Sequence, residues 1–125
     1  CVVTGPGGER LAISGDTGPS DAFVEAARGA DLVVAEATLV DASHDDPRRG
    51  HLTADEAINM ADRAGVGRIV LVHYRAELRG RIDAACAARP GAIAGHPGLR
   101  VEVTKGDAIE GIPAATEGLA GAPTA

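Results

Sequence analysis

The sequence predicts a layered α/β unit, and three observations carry that prediction. Two continuous apolar runs, residues 31–35 (DLVVA) and 68–72 (RIVLV), lack polar–apolar alternation and read as strands covered on both faces. Segments with helical start signals or helical apolar spacing lie before, between and after them. Short apolar runs around glycine turns sit at either end and read as hairpins. The order is therefore hairpin, helix, strand, helix, strand, helix, hairpin, a pattern of helices alternating with buried strands.

The first hairpin pairs residues 2–3 with 11–14 across Gly5-Pro6-Gly7-Gly8. Ser20 is placed to cap the next helix, with Asp21 in the first turn where the helix dipole favours a negative charge. Phe23, Val24 and Ala27 give that helix its apolar side, and Gly29 can stop it. Residues 38–52 have no periodicity and gather Asp41, Asp45, Asp46, Arg48 and Arg49, which predicts an exposed loop. Thr53 and Glu56 form a capping box for a helix whose buried stripe is Ala57, Ile58, Ala61 and Ala64. A third helix is expected over 76–88, stopped at Arg89-Pro90. Val101 and Val103, turning at Lys105-Gly106-Asp107 into Ile109 and Ile112, predict an edge hairpin, and 113–125 predicts a frayed tail. One unit over 1–112 follows.

The 125 residues include 25 alanines and 17 glycines, so the helices can pack closely but bury little apolar area each. A net charge of -6 opposes non-specific binding to a nucleic acid backbone, although a metal ion can reverse the local field around a phosphate. No run is long and apolar enough to span a membrane, and the start CVVTGPGGER has no signal-like pattern. Two distant cysteines, Cys1 and Cys86, make no disulfide framework and point to a reducing, cytoplasmic setting.

Asp16, Glu36 and His73 follow three apolar strands in turn, and His51 stands just before a helix start. Crevices beyond the carboxyl ends of strands are common binding sites in α/β sheets. One Asp, one Glu and two His converging there could bind or work beside a divalent metal. Each also has a plainer reading: a turn aspartate, a solvated glutamate, a turn histidine and a packed strand-end histidine. His44 and His96 lie in loops rich in Asp, Pro and Gly and read as loop residues. There is no P-loop and no Gly-x-Ser-x-Gly arrangement.

The run ISGDTGPSDAFVEAARGADLVVAEATLVD, followed by GHLTADEAINMADRAGVGRIVLVH, resembles the C-terminal half of a metallo-β-lactamase-fold hydrolase. The similar branch holds ribonuclease Z and cyclic-nucleotide phosphodiesterases. Its motifs stand in family order, with Asp16, Glu36, His51 and His73 in sequence. The resemblance implies the C-terminal half of an αββα sandwich, one mixed sheet layer with covering helices. It implies that Asp16 of SGDTG bridges two zinc ions and that His73 of LVHY is a further ligand. Mn²⁺ or Fe²⁺ would suit the same donors. It further implies that His51 of GHLTA contacts the phosphate and assists proton transfer, oriented by Glu36 of AEATL.

Ala35 replaces the histidine of the family's HEAT-like segment, and Leu52 stands where ribonuclease Z has a small residue. Both departures weaken the case for tRNA-trailer cleavage and lean toward a smaller or different phosphodiester, with a cyclic nucleotide and an RNA 3′ end both left open as substrates. The family's HxHxDH motif, which supplies most metal ligands, does not occur in the sequence. The resemblance thus implies a zinc-dependent phosphodiesterase or ribonuclease when completed by an N-terminal half or a partner chain, with a homodimer as another assembly. Alternatives are a non-catalytic remnant that binds a partner, or a hydrolase of the same fold acting on thioesters or lactones.

Overall fold

The computed structural model describes residues 1–40 and 50–106. Its five strands are β1 (Val2–Thr4), β2 (Arg10–Ile13), β3 (Leu32–Glu36), β4 (Ile69–Val72) and β5 (Ala92–Ala94). They form one mixed sheet in the order β1-β2-β3-β4-β5. The β1–β2 pair is antiparallel, and β2 through β5 are parallel. The expected first hairpin is present, its turn closed by Gly5 N–H to the Glu9 carbonyl at 2.7 Å.

Three helices link the parallel strands: α1 (Asp21–Ala27), α2 (Ala54–Ala64) and α3 (Arg79–Ala87). The local signals read from the sequence act as expected. Ser20 Oγ accepts from Phe23 N–H at 3.1 Å. Both halves of the Thr53–Glu56 capping box form, at 2.9 and 3.1 Å, and Gly65 ends α2 in the left-handed conformation. The expected third helix is divided into a 3₁₀ turn at Ala76–Leu78 and α3.

All three helices share one core. Ala12, Val33, Ala35, Ile69 and Leu71 of the strands meet Val24 and Ala27 of α1, Ile58 and Ala61 of α2, and Ile82 of α3. On the opposite face Leu32, Val70 and Ile93 are buried with Leu11, Val34, Val72, Leu99, Val101 and Val103 around them. Strands β3 and β4 are thus apolar toward both faces, which is why they read as continuous runs. This is the mixed sheet with covering helices that one half of an αββα sandwich provides.

Three expectations are corrected. Residues 101–106 contain no strand; the position beside β4 belongs to β5, which no expected element covered. Ala-Ile-Ala is too short and too poor in β-branched residues to signal itself, and its register on β4 places it. Val101 and Val103 cover the sheet instead of extending it. Finally, the residues after Gly50 are not an exposed loop end: Leu52 is fully buried, and Leu39 pairs with Thr53 in an isolated parallel bridge. Residues 41–49, Ile109, Ile112 and the expected tail at 113–125 lie outside the described residues.

The entry into β5 depends on Gly91. Its φ is +91°, and a Cβ there would collide with the Gly67 carbonyl oxygen. Arg89 Nη1 donates to that same oxygen at 2.8 Å, so it cannot easily move away. Gly91→Ala combines a left-handed backbone penalty with overpacking against rigid backbone, which predicts a loss of about 2–4 kcal/mol. Urea unfolding should show a lower midpoint with unchanged slope; a midpoint equal to wild type would refute this account.

Candidate metal and acid–base site

Strands β2, β3 and β4 are parallel, so their carboxyl ends lie along one edge. Asp16 follows β2, Glu36 is the last residue of β3, and His73 follows β4 directly. His51 reaches the same edge from the segment leading into α2. The four residues singled out in the sequence therefore meet at one place.

Glu36 organises it. Only 2% of its surface is exposed, so its carboxylate needs donors, and four are supplied. Oε1 accepts from His51 Nδ1 at 2.9 Å and from Thr17 N–H at 3.3 Å. Oε2 accepts from the N–H groups of Thr38 and Leu52, each at 3.2 Å. Burial alone raises the pKa of this carboxyl, but the bonds from Thr38, His51 and Leu52 outweigh it and hold the pKa below its ordinary 4.5. An ionised carboxylate only accepts, so the proton on this edge of His51 is fixed at Nδ1.

Asp16 is exposed, and its carboxylate makes no hydrogen bond among the described residues. Asp16, Glu36 and His51 each offer a ligand atom, and these atoms lie within 4.8 Å of one another. Glu36 already shares both oxygens among four donors, so in this cluster it is better suited to orient His51 than to hold an ion. The His51 and His73 rings are stacked, with centroids 6.2 Å apart and planes 20° apart. Nδ1 of His73 lies 2.9 Å from Thr38 Oγ1. His73 is the one non-glycine among the described residues with positive φ, +58°. That conformation costs on the order of 1–2 kcal/mol, and such residues gather at functional sites. The donor chemistry of carboxylate and imidazole at this edge fits a zinc-class ion.

A cavity of about 580 Å³ opens beside His73, lined by Tyr74, Arg79, Gly95 and His96 among others. His96, read as a loop residue, bonds the neighbouring Pro97 carbonyl at 3.0 Å and stands apart from the cluster. His44 lies outside the described residues. Ala35 and Leu52, read as pointers to substrate size, are 1% and 0% exposed in the helix-face core. Neither side chain can touch a substrate, so these departures do not bear on its size. Sequence reasoning missed Thr17, Thr38 and the Leu52 N–H. The threonine of AEATL was the available signal, two residues beyond the carboxylate.

A family model described as "Beta-lactamase superfamily domain" matches residues 1–74, a span that contains Asp16, Glu36, His51 and His73. The chain belongs to the metallo-β-lactamase superfamily. Its relatives include a protein named ribonuclease Z from Ignicoccus hospitalis, 40% identical over 107 residues, covering 78% of this chain and 35% of that one. Human tRNase Z, short form, superposes with a TM-score of 0.59 at 23% identity, over 82% of this chain and 36% of that one. The metallo-β-lactamase-fold protein YhfI from Bacillus subtilis gives 0.55 at 23% identity, over 72% and 38%. The chain thus spans about a third of the length of the relatives it matches. Among the described residues no helix is long and apolar enough to cross a membrane.

The lowered pKa of Glu36 fixes a pH dependence. Its contribution to stability is complete above about pH 4.5, where the unfolded carboxyl is ionised, and is lost as pH falls through the lower folded value. Urea midpoints measured down a pH series should therefore fall below about pH 4.5 in wild type. Glu36→Gln should start lower at neutral pH and fall less steeply. Parallel curves for the two proteins would show that Glu36 is not responsible.

Proposed function

We propose that this chain is the C-terminal half of a metal-dependent phosphodiester hydrolase, completed by a second sandwich half in the same or another chain. The pairing of half-exposed His51 with buried Glu36, beside the exposed Asp16 carboxylate, is the observation that supports this reading most. The names of the relatives, ribonuclease Z and tRNase Z, support a phosphodiester substrate, either an RNA 3′ end or a cyclic nucleotide. Two free cysteines suit a cytoplasmic enzyme.

In this reading Asp16 and His73 hold two zinc ions together with ligands from the other half, and Mn²⁺ or Fe²⁺ suits the same donors. Such ions, when bound, supply Lewis acidity and an activated water. His51 acts as the acid–base group. With Nδ1–H directed at Glu36, its other ring nitrogen, Nε2, is the atom that carries the proton toward a departing oxygen. Glu36 holds the ring in that tautomer and orientation, as a buried carboxylate does for a catalytic histidine. A thioester gives an acid–base histidine less to do, since its thiolate leaves with less need of protonation than an alkoxide.

A second reading follows from the cluster itself: one ion held by Asp16, Glu36 and His51. Metal analysis of the assembled enzyme separates the two. Asp16→Ala should lose bound metal, whereas His51→Ala should keep it and lower kcat by about 10²–10⁴-fold. Metal retained by Asp16→Ala would overturn the assignment, and metal lost from His51→Ala would favour the single-ion cluster.

A further inference from the structure

We propose that Thr38 is a positioning residue that fixes the tautomer and orientation of His73. Its hydroxyl lies 2.9 Å from His73 Nδ1 and 3.0 Å from the His73 carbonyl oxygen. A hydroxyl has one hydrogen to donate, and a carbonyl oxygen can only accept. The hydroxyl hydrogen goes to an acceptor, either the His73 carbonyl or the Glu36 carboxylate, and with it committed there the Nδ1 contact is made by His73 Nδ1–H donating to Thr38 Oγ1. The proton is then on Nδ1, and Nε2 presents a lone pair.

The placement of Thr38 follows from the sheet. Ala37 N–H bonds the Val72 carbonyl at 2.8 Å, extending the β3–β4 pairing by one residue and setting Thr38 beside His73. There the chain turns through the positive φ of His73, and the Thr38 hydroxyl ties the backbone and ring of that residue to one atom. The Thr38 N–H meanwhile donates to Glu36, which orients His51. One residue thereby connects the two stacked imidazoles. The use of the lone pair toward a metal rests on the reading of His73 as a ligand; the tautomer itself does not.

The test is imidazole ¹H–¹⁵N correlation spectroscopy on the ¹⁵N-labelled, metal-free chain at about pH 8.5, above the ordinary histidine range. His73→Gln assigns the signal. Wild type should show His73 protonated at Nδ1, Thr38→Ser should keep that pattern, and Thr38→Val should shift it toward the Nε2–H form. Wild-type protonation at Nε2 would overturn the proposal whether or not Thr38→Val folds, as would an unchanged pattern in a folded Thr38→Val. Zinc titration of the assembled enzyme against a competing chelator adds a second readout: Thr38→Val should weaken binding about 10–100-fold relative to wild type, with Thr38→Ser close to wild type. Zinc affinity unchanged by His73→Gln in the assembled enzyme would count against His73 as a ligand, while the spectra would still decide the role of Thr38.

Discussion

A single buried carboxylate joins the parts of this site. Glu36 ends a central strand, where continued pairing leaves little room for water, and its two oxygens draw in donors from three other segments. Thr17 comes from the segment after β2, Thr38 from the one after β3, and His51 and Leu52 from the approach to α2. Each of these donors lies outside the named strands and helices. A buried charge left without donors would be far more costly than any one of these bonds is favourable, so the segments converge on it. The acid–base pair and the geometry of the strand edge are thus one structural feature.

The scaffold that presents Glu36 is a sheet of small-residue packing. Alanines at positions 12, 27, 35, 37, 57, 61 and 64 are buried between helices and strands. They let α1 and α2 approach the sheet closely, at the expense of apolar area per helix. The opposite face has larger side chains, with Leu32, Val70 and Ile93 under a segment that lacks strand structure. A sheet apolar on both sides belongs in a sandwich, in keeping with the αββα arrangement of the superfamily.

Much of this was legible in the sequence. The capping box at Thr53, the cap at Ser20 and the glycine stop at Gly65 act within one turn of chain, so local signals sufficed. The continuous runs announced β3 and β4 because both of their faces are buried. Strand β5 gave no such signal, since Ala92–Ala94 owes its place to pairing with β4 and to the close approach of Gly91 to Gly67. Val101 and Val103 alternate like a strand, yet they serve as a cover, because alternation reports which side chains are buried and not whether the backbone is paired.

The four site residues were likewise visible by type and by position after apolar runs, and the motifs that contain them suggested the family. What tertiary structure alone decided is how they divide the work. Ala35 and Leu52 looked like substrate-facing departures, but the register of β3 and the start of α2 turn both into the helix core. Thr38 looked like a loop residue, but β3–β4 pairing sets it against His73. Sequence fixes which groups are available and which elements carry them, since those depend on local periodicity and caps. The distances between groups many residues apart depend on strand register, which is set only when the whole sheet assembles.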